Sequence, residues 1–140
     1  MSCIANTDDL RFRDQFESGE ISTADFSHRS HLRLAFVYLT ESDTEEAGDR
    51  MRAALLKFLD DNNVPAGKFH ETLTISWIMA VKHFMQKAES AASFEEFIAA
   101  DDRLLDPNIM LTHYSRDTLF SETARTIFVA PDVQAIPQYA

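Results

Sequence analysis

Cysteine is almost missing from this chain. Cys3 is the only one in 140 residues, which excludes a disulfide framework and a cysteine-built zinc site within one molecule. Its place near the terminus makes it a poor nucleophile. Glycine and proline are scarce as well, at three and four. So few breakers argue against short strands and tight turns and favour long helices, and three scattered glycines cannot build a phosphate loop. Long apolar runs are lacking too. The longest, 75–81, is interrupted by Ser76 and ends at Lys82, far short of the about 20 residues that cross a bilayer. No basic patch followed by an apolar run opens the chain, so no secretory signal is expected and the cytoplasm is the expected compartment. Positive charge is in deficit: 13 Lys and Arg against 23 Asp and Glu give a net charge of −10. That field repels phosphate backbones, and Arg29, Arg33, Arg50 and Arg52 are interleaved with acids, so neither nucleic acid nor membrane is an expected partner.

What is present reads as an ordinary globular composition, 45% apolar and 26% charged. Eleven Phe against one Trp and three Tyr imply aromatic rings packed between helices. The length fits one domain spanning 1–140, with 1–8 expected to lack fixed structure and 131–140 to form an extended tail. Phe12 and Phe16 share a side of a first short helix, which Gly19 breaks. Ser22 and Asp25 have capping-box spacing and predict a helix over 22–40, with His28, His31, Leu32, Ala35 and Leu39 on one stripe. A second helix is expected over 44–60. The third, over 68–88, is apolar nearly all round and is expected to be central. Ser93 to Glu96 opens a short helix, Pro107 suits a first helical turn, and a last helix is expected over 121–128. The predicted fold is all-α: a single-domain helical bundle of three long helices plus short accessory helices.

Chemistry-bearing residues fall at two helix starts. His28 and His31 are one turn apart, so both can address one ion or one substrate group. His70 and Glu71 are adjacent and diverge by about 100° around their helix; on a helix buried all round, both can still face inward. A site of three imidazoles and a carboxylate follows if the two helix starts meet. His28, His31 and His70 would be metal ligands, and Glu71 a ligand, a general base or a partner to a histidine N–H. The spacing is neither His-Glu-x-x-His nor Glu-x-x-His, so the zinc-protease and di-iron templates are both excluded. Thr74 and Trp77 share the His70 stripe and would contact substrate. Further along, His113 and Tyr114 offer a ligand and an acid, while Arg125 would anchor an anion or pair with Asp132. The plainer expectation for this stretch is a helix end followed by an N-cap at Ser121. His83 is expected to face solvent.

The pattern Phe26-x-His28-x-x-His31-Leu32-x-x-Ala35 with Phe69-His70-Glu71-Thr72-x-Thr74-x-x-Trp77 resembles that of a group of small uncharacterised bacterial all-helical proteins. The likeness extends to Tyr114, Ser115, Leu119, Ser121, Ala124, Arg125, Pro131 and Asp132. It implies that these polar positions are the ones to test and supplies no reaction. Three functions are therefore weighed. The first is a metal-dependent enzyme acting on a small organic molecule, with Zn, Fe, Cu or Ni held by imidazole. The second is a metal-free pocket for ligand binding or acid–base work. The third is an accessory protein whose His and Glu side chains only fix helix register.

Overall fold

The computed structural model describes residues 2–88 and 90–137. Among these the regular structure is helical, and the only β-type pairing is an isolated bridge between Cys3 and Ala91. The helices are α1 (Thr7–Glu17), α2 (His28–Glu41), α3 (Thr44–Asp61), α4 (Glu71–Lys87), α5 (Phe94–Ala100), α6 (Arg116–Leu119) and α7 (Glu122–Thr126). Short 3-10 segments occupy Thr23–Asp25, Ala66–Lys68, Asp102–Leu105 and Pro107–Thr112.

Each α-helix starts on a side chain that accepts a backbone N–H of its first turn: Asn6, Ser27, Asp43, His70, Ser93, Ser115 and Ser121. A cap of this kind contributes about 1 kcal/mol. It matters most for α6 and α7, which are too short to hold themselves. Six of the caps are the usual small polar residues; His70 is not.

The expected helix over 22–40 begins later, at His28. Ser22 donates to the Asp25 carboxylate (3.1 Å) instead of capping, and Phe26 stays extended. That conformation carries the Phe26 ring in among Phe16 and Phe58, with centroids 4.9 and 5.0 Å away. Aromatic packing thus outcompetes helix continuation. The central helix expected over 68–88 shares the core with α2: α4 is buried at every position from Ser76 through Val81. α2 is buried on every side from Leu34 through Leu39, because α1, α3, α4 and α5 all pack against it. α4 keeps Leu73 and Ile75 half-buried. α3 and α4 approach closely at Gly48, where an added Cβ would stand 3.0 Å from Ile75 Cδ1.

Within the 1–8 stretch expected to lack fixed structure, residues 2–6 run beside Ala91, with the Ile4 N–H donating to its carbonyl (2.9 Å), and α1 already begins at Thr7. Residues 131–137, expected to be an extended tail, bend at 132–134: the N–H groups of Val133 and Gln134 donate to the His113 carbonyl, and Ile136 is buried. The rest of the expected tail, 138–140, lies outside the described residues.

One buried carboxylate joins three elements. Asp9 accepts from Arg33 Nε (2.9 Å), from the Phe94 N–H at the start of α5 (2.9 Å) and from the Asn6 N–H (3.1 Å). Removing its charge strands the Arg33 guanidinium, which is three-quarters covered. Asp9→Asn is therefore expected to lower unfolding free energy by about 2–4 kcal/mol in urea titrations. A loss below about 0.5 kcal/mol would show that the carboxylate does not hold α1, α2 and α5 together.

Candidate functional site

The first turn of α2 brings His28 and His31 to the wall of a cavity of about 320 Å³. Its apolar lining includes Trp77 of α4, Met110 of the Pro107–Thr112 turn, and Leu119 and Phe120 at the end of α6. Asn108 and Arg116 are its other polar edges. His28 is already engaged. Its Nε2–H donates to the Leu104 carbonyl (2.9 Å), and its ring meets Trp77 edge-on at 4.7 Å. His31 is different. The ring lies near-parallel to Phe26 (6.1 Å), and its Nε2 is buried with no hydrogen-bond partner. Burial first, and the neighbouring His28 second, push its pKa down to about 4. At neutral pH the ring is uncharged.

His70 stands elsewhere. As the cap of α4 its Nδ1 accepts the Leu73 N–H (3.1 Å). The proton must then sit on Nε2, which donates to the Leu119 carbonyl (2.8 Å). Burial and, less strongly, the nearby Arg125 pull its pKa below the ordinary imidazole value, against the opposing effect of the Leu119 bond. Both ring nitrogens are occupied, so His70 carries a cavity wall without touching the cavity.

Glu71 turns the other way, as adjacency on a helix requires. Arg52 of α3 grips its carboxylate with two bonds of 2.8 and 2.5 Å. Glu71 is the main reason the guanidinium pKa is raised further still. The pair lines a separate open groove between α3 and α4, rimmed by Asp43, Asp49 and Lys82. Two imidazoles therefore share one cavity, while the third imidazole and the carboxylate leave it. Among the described residues no three His, Cys, Asp or Glu side chains are arranged to hold a metal ion.

The other anticipated positions also have occupied polar atoms. Thr74 Oγ1 donates to the His70 carbonyl (2.8 Å). The buried Tyr114 hydroxyl donates to the Val129 carbonyl (2.6 Å) and accepts from Ser76 Oγ (3.0 Å). Burial raises its pKa, and its proton is committed to a carbonyl. Arg125 reaches the Gly67 carbonyl (3.3 Å). Asp132 is engaged by Ser115 and Thr118, and these bonds pull it down to about 2, Ser115 foremost. His113 donates from Nδ1 to the Gln134 carbonyl (2.7 Å). His83 is half-buried rather than solvent-facing. Only Trp77, among the expected substrate contacts, lines the cavity with the histidines.

Arg116, Asn108, Met110, Leu119 and Phe120 were not anticipated as site residues. They come from turns and a one-turn helix, where no periodicity marks an inner face; Pro107 is the one structural signal there, and Ser115, the cap of α6, was not anticipated as one. Comparison with protein-family models, curated proteins and solved structures gave no match to this chain.

An unpartnered buried nitrogen costs about 1–3 kcal/mol. His31→Leu is therefore expected to leave stability at pH 7 unchanged or higher. The folded pKa of His31 lies below its unfolded value, so its contribution is complete above about pH 6.5 and fades as pH falls towards 4. Wild type should lose about 2–3 kcal/mol between pH 6.5 and 4.5 that the Leu variant keeps. Parallel pH profiles of urea unfolding for the two proteins would show that His31 is not held neutral by burial.

Proposed function

We propose that the cavity at the start of α2 is a metal-free binding site for a small organic molecule. One polar group of the ligand reaches His31 Nε2 as the side chains covering that atom give way, and its apolar body lies against Trp77, Met110 and Leu119. The observation that carries this reading is the unpartnered Nε2 itself. His28 is engaged through Nε2, His70 through both ring nitrogens, and Tyr114 and Glu71 through their side-chain oxygens. A ligand supplies the partner that the fold withholds. At about 320 Å³ the space lies at the small end of the usual range for ligand pockets. An imidazole whose pKa is near 4 is a weak base at neutral pH, which favours binding over general acid–base catalysis. Arg116, at the mouth, suits a ligand with a carboxylate or other acceptor on its outer end.

In this reading the chain is a single-domain helical bundle, acting in the cytoplasm on a small molecule. The metal-dependent alternative would use His28 and His31 with Zn, Fe, Cu or Ni. It needs His28 to release Leu104 and needs further ligands from the substrate or solvent.

Trp77 is the only tryptophan and lines the cavity, so its emission reports occupancy. Phenol and toluene, nearly equal in size, are suitable probes. Each is expected to shift Trp77 emission saturably, and the ratio of phenol to toluene affinity should fall about tenfold in His31→Leu. No saturable change with either probe, or an unaltered ratio in the variant, overturns the proposal. Stoichiometric zinc binding that moves the ¹⁵N resonances of both His28 and His31 would install the metal reading in its place.

A further inference from the structure

The two ends of the His31 cavity make opposite demands on an occupant. Trp77, Met110 and Leu119 line its inner end and are buried, as is His31 Nε2. Asn108, Arg116 and Phe120 line it too, and all three are exposed, so they mark the mouth. Among the described residues the Arg116 guanidinium has no ion pair and no hydrogen bond. Every other arginine of the chain is engaged. Arg11, Arg13, Arg29, Arg33, Arg50, Arg52 and Arg103 pair with carboxylates, and Arg125 reaches a carbonyl. With 23 acids in the sequence, an arginine left without one is the exception. The acids nearest to it in sequence, Asp106 and Asp117, are exposed, and Asp106 is turned to the Asn108 N–H (2.9 Å). No carboxylate lines the cavity among the described residues.

The inner end excludes charge. His31 is uncharged at neutral pH, and an ionised group brought against it would lose its water and gain no counter-ion. What fits there is one neutral hydrogen-bonding group. A hydroxyl both donates and accepts, so it suits either tautomer of the imidazole. The mouth asks for the reverse. A guanidinium presents paired N–H donors that match a carboxylate, and the Asn108 amide can add another. Between the ends stand the His28 and Trp77 rings, the Phe120 ring and the Met110 thioether. Flat aromatic bodies pack well against such walls.

We infer that the ligand is a phenolic carboxylic acid, its hydroxyl innermost at His31 Nε2, its ring beside Trp77 and Met110, and its carboxylate at Arg116. The inference rests on the His31 cavity being the binding site proposed above, and adds the class of ligand and the direction in which it lies. The reversed orientation buries the carboxylate beside a neutral ring and leaves Arg116 unpaired. The net charge of −10 repels organic anions in general, so any preference for the acid has to come from a local cation.

Para-hydroxybenzoate and para-hydroxybenzamide are nearly equal in size and differ in charge at neutral pH. Titrations of the full chain are followed at the indole N–H resonance of Trp77, the only tryptophan. The acid is expected to bind about fivefold or more tighter than the amide. In Arg116→Gln, a change at an exposed side chain that holds no other residue, that ratio is expected to fall to about one. Benzoate, which lacks the hydroxyl, should bind about tenfold more weakly than para-hydroxybenzoate to wild type and about equally to His31→Leu. Equal affinity for acid and amide in wild type overturns the inference. So does an acid preference that survives Arg116→Gln, or benzoate binding as tightly as para-hydroxybenzoate. Phenol separates the two levels. Saturable, His31-dependent phenol binding without an acid preference removes the ligand class and leaves the site, whereas failure of phenol and toluene alike removes both.

Discussion

The candidate site depends on one imidazole that faces away from it. His70 starts α4 by accepting the Leu73 N–H and ends α6 by donating to the Leu119 carbonyl. The first bond requires a bare Nδ1 and the second a protonated Nε2, so the two bonds select the same neutral tautomer. A serine or aspartate would cap the helix equally well. Neither has a second polar atom on a rigid ring, placed to reach across to another segment. The same ring therefore sets where α4 begins and where Leu119 stands, and Leu119 is a wall of the cavity beside His31.

Other polar side chains repeat this arrangement on a smaller scale. Thr72 Oγ1 donates to the Ile127 carbonyl and accepts the Val129 N–H. Tyr114 holds Val129 from the far side through its hydroxyl, and Asp132 clasps Ser115 and Thr118. Each bond ties a stretch without regular structure to α4 or to a neighbouring turn. A segment built from one-turn helices buries too little surface to be fixed by packing alone. Side-chain bonds to backbone replace the missing ladder. Among the buried side-chain polar atoms of the described residues His31 Nε2 is the exception, and its cost has no structural return.

Much of the fold was legible in the sequence because helices advertise themselves through period and caps. Ser93 with Glu96 marked α5, Asp43 lay just before α3, and Pro107 marked a helical turn where one exists. The start of α2 was misplaced because Ser22 and Asp25 imitate a capping box, while the constraint that decides the matter, Phe26 between Phe16 and Phe58, is a tertiary one. The site was legible only in part, for a related reason. Spacing correctly pairs His28 with His31, since one helix carries both. It cannot tell whether a residue on a second helix is an N-cap, as His70 is, or is drawn off by an arginine on α3, as Glu71 is by Arg52. Those outcomes depend on partners distant in sequence.

The His31 cavity and another, of about 390 Å³ under the C-terminal half of α4, share Met110, a nearly fully buried side chain. Met110 sits on a 3-10 turn, whose i→i+3 bonds are poorer than those of an α-helix, and methionine adapts its shape to what surrounds it. The wall between the cavities is thus among the more compliant parts of the molecule, while α2 and α4 on either side are packed into the core. Packed helices place His28, His31 and Trp77, and side-chain bonds hold the turns beside them.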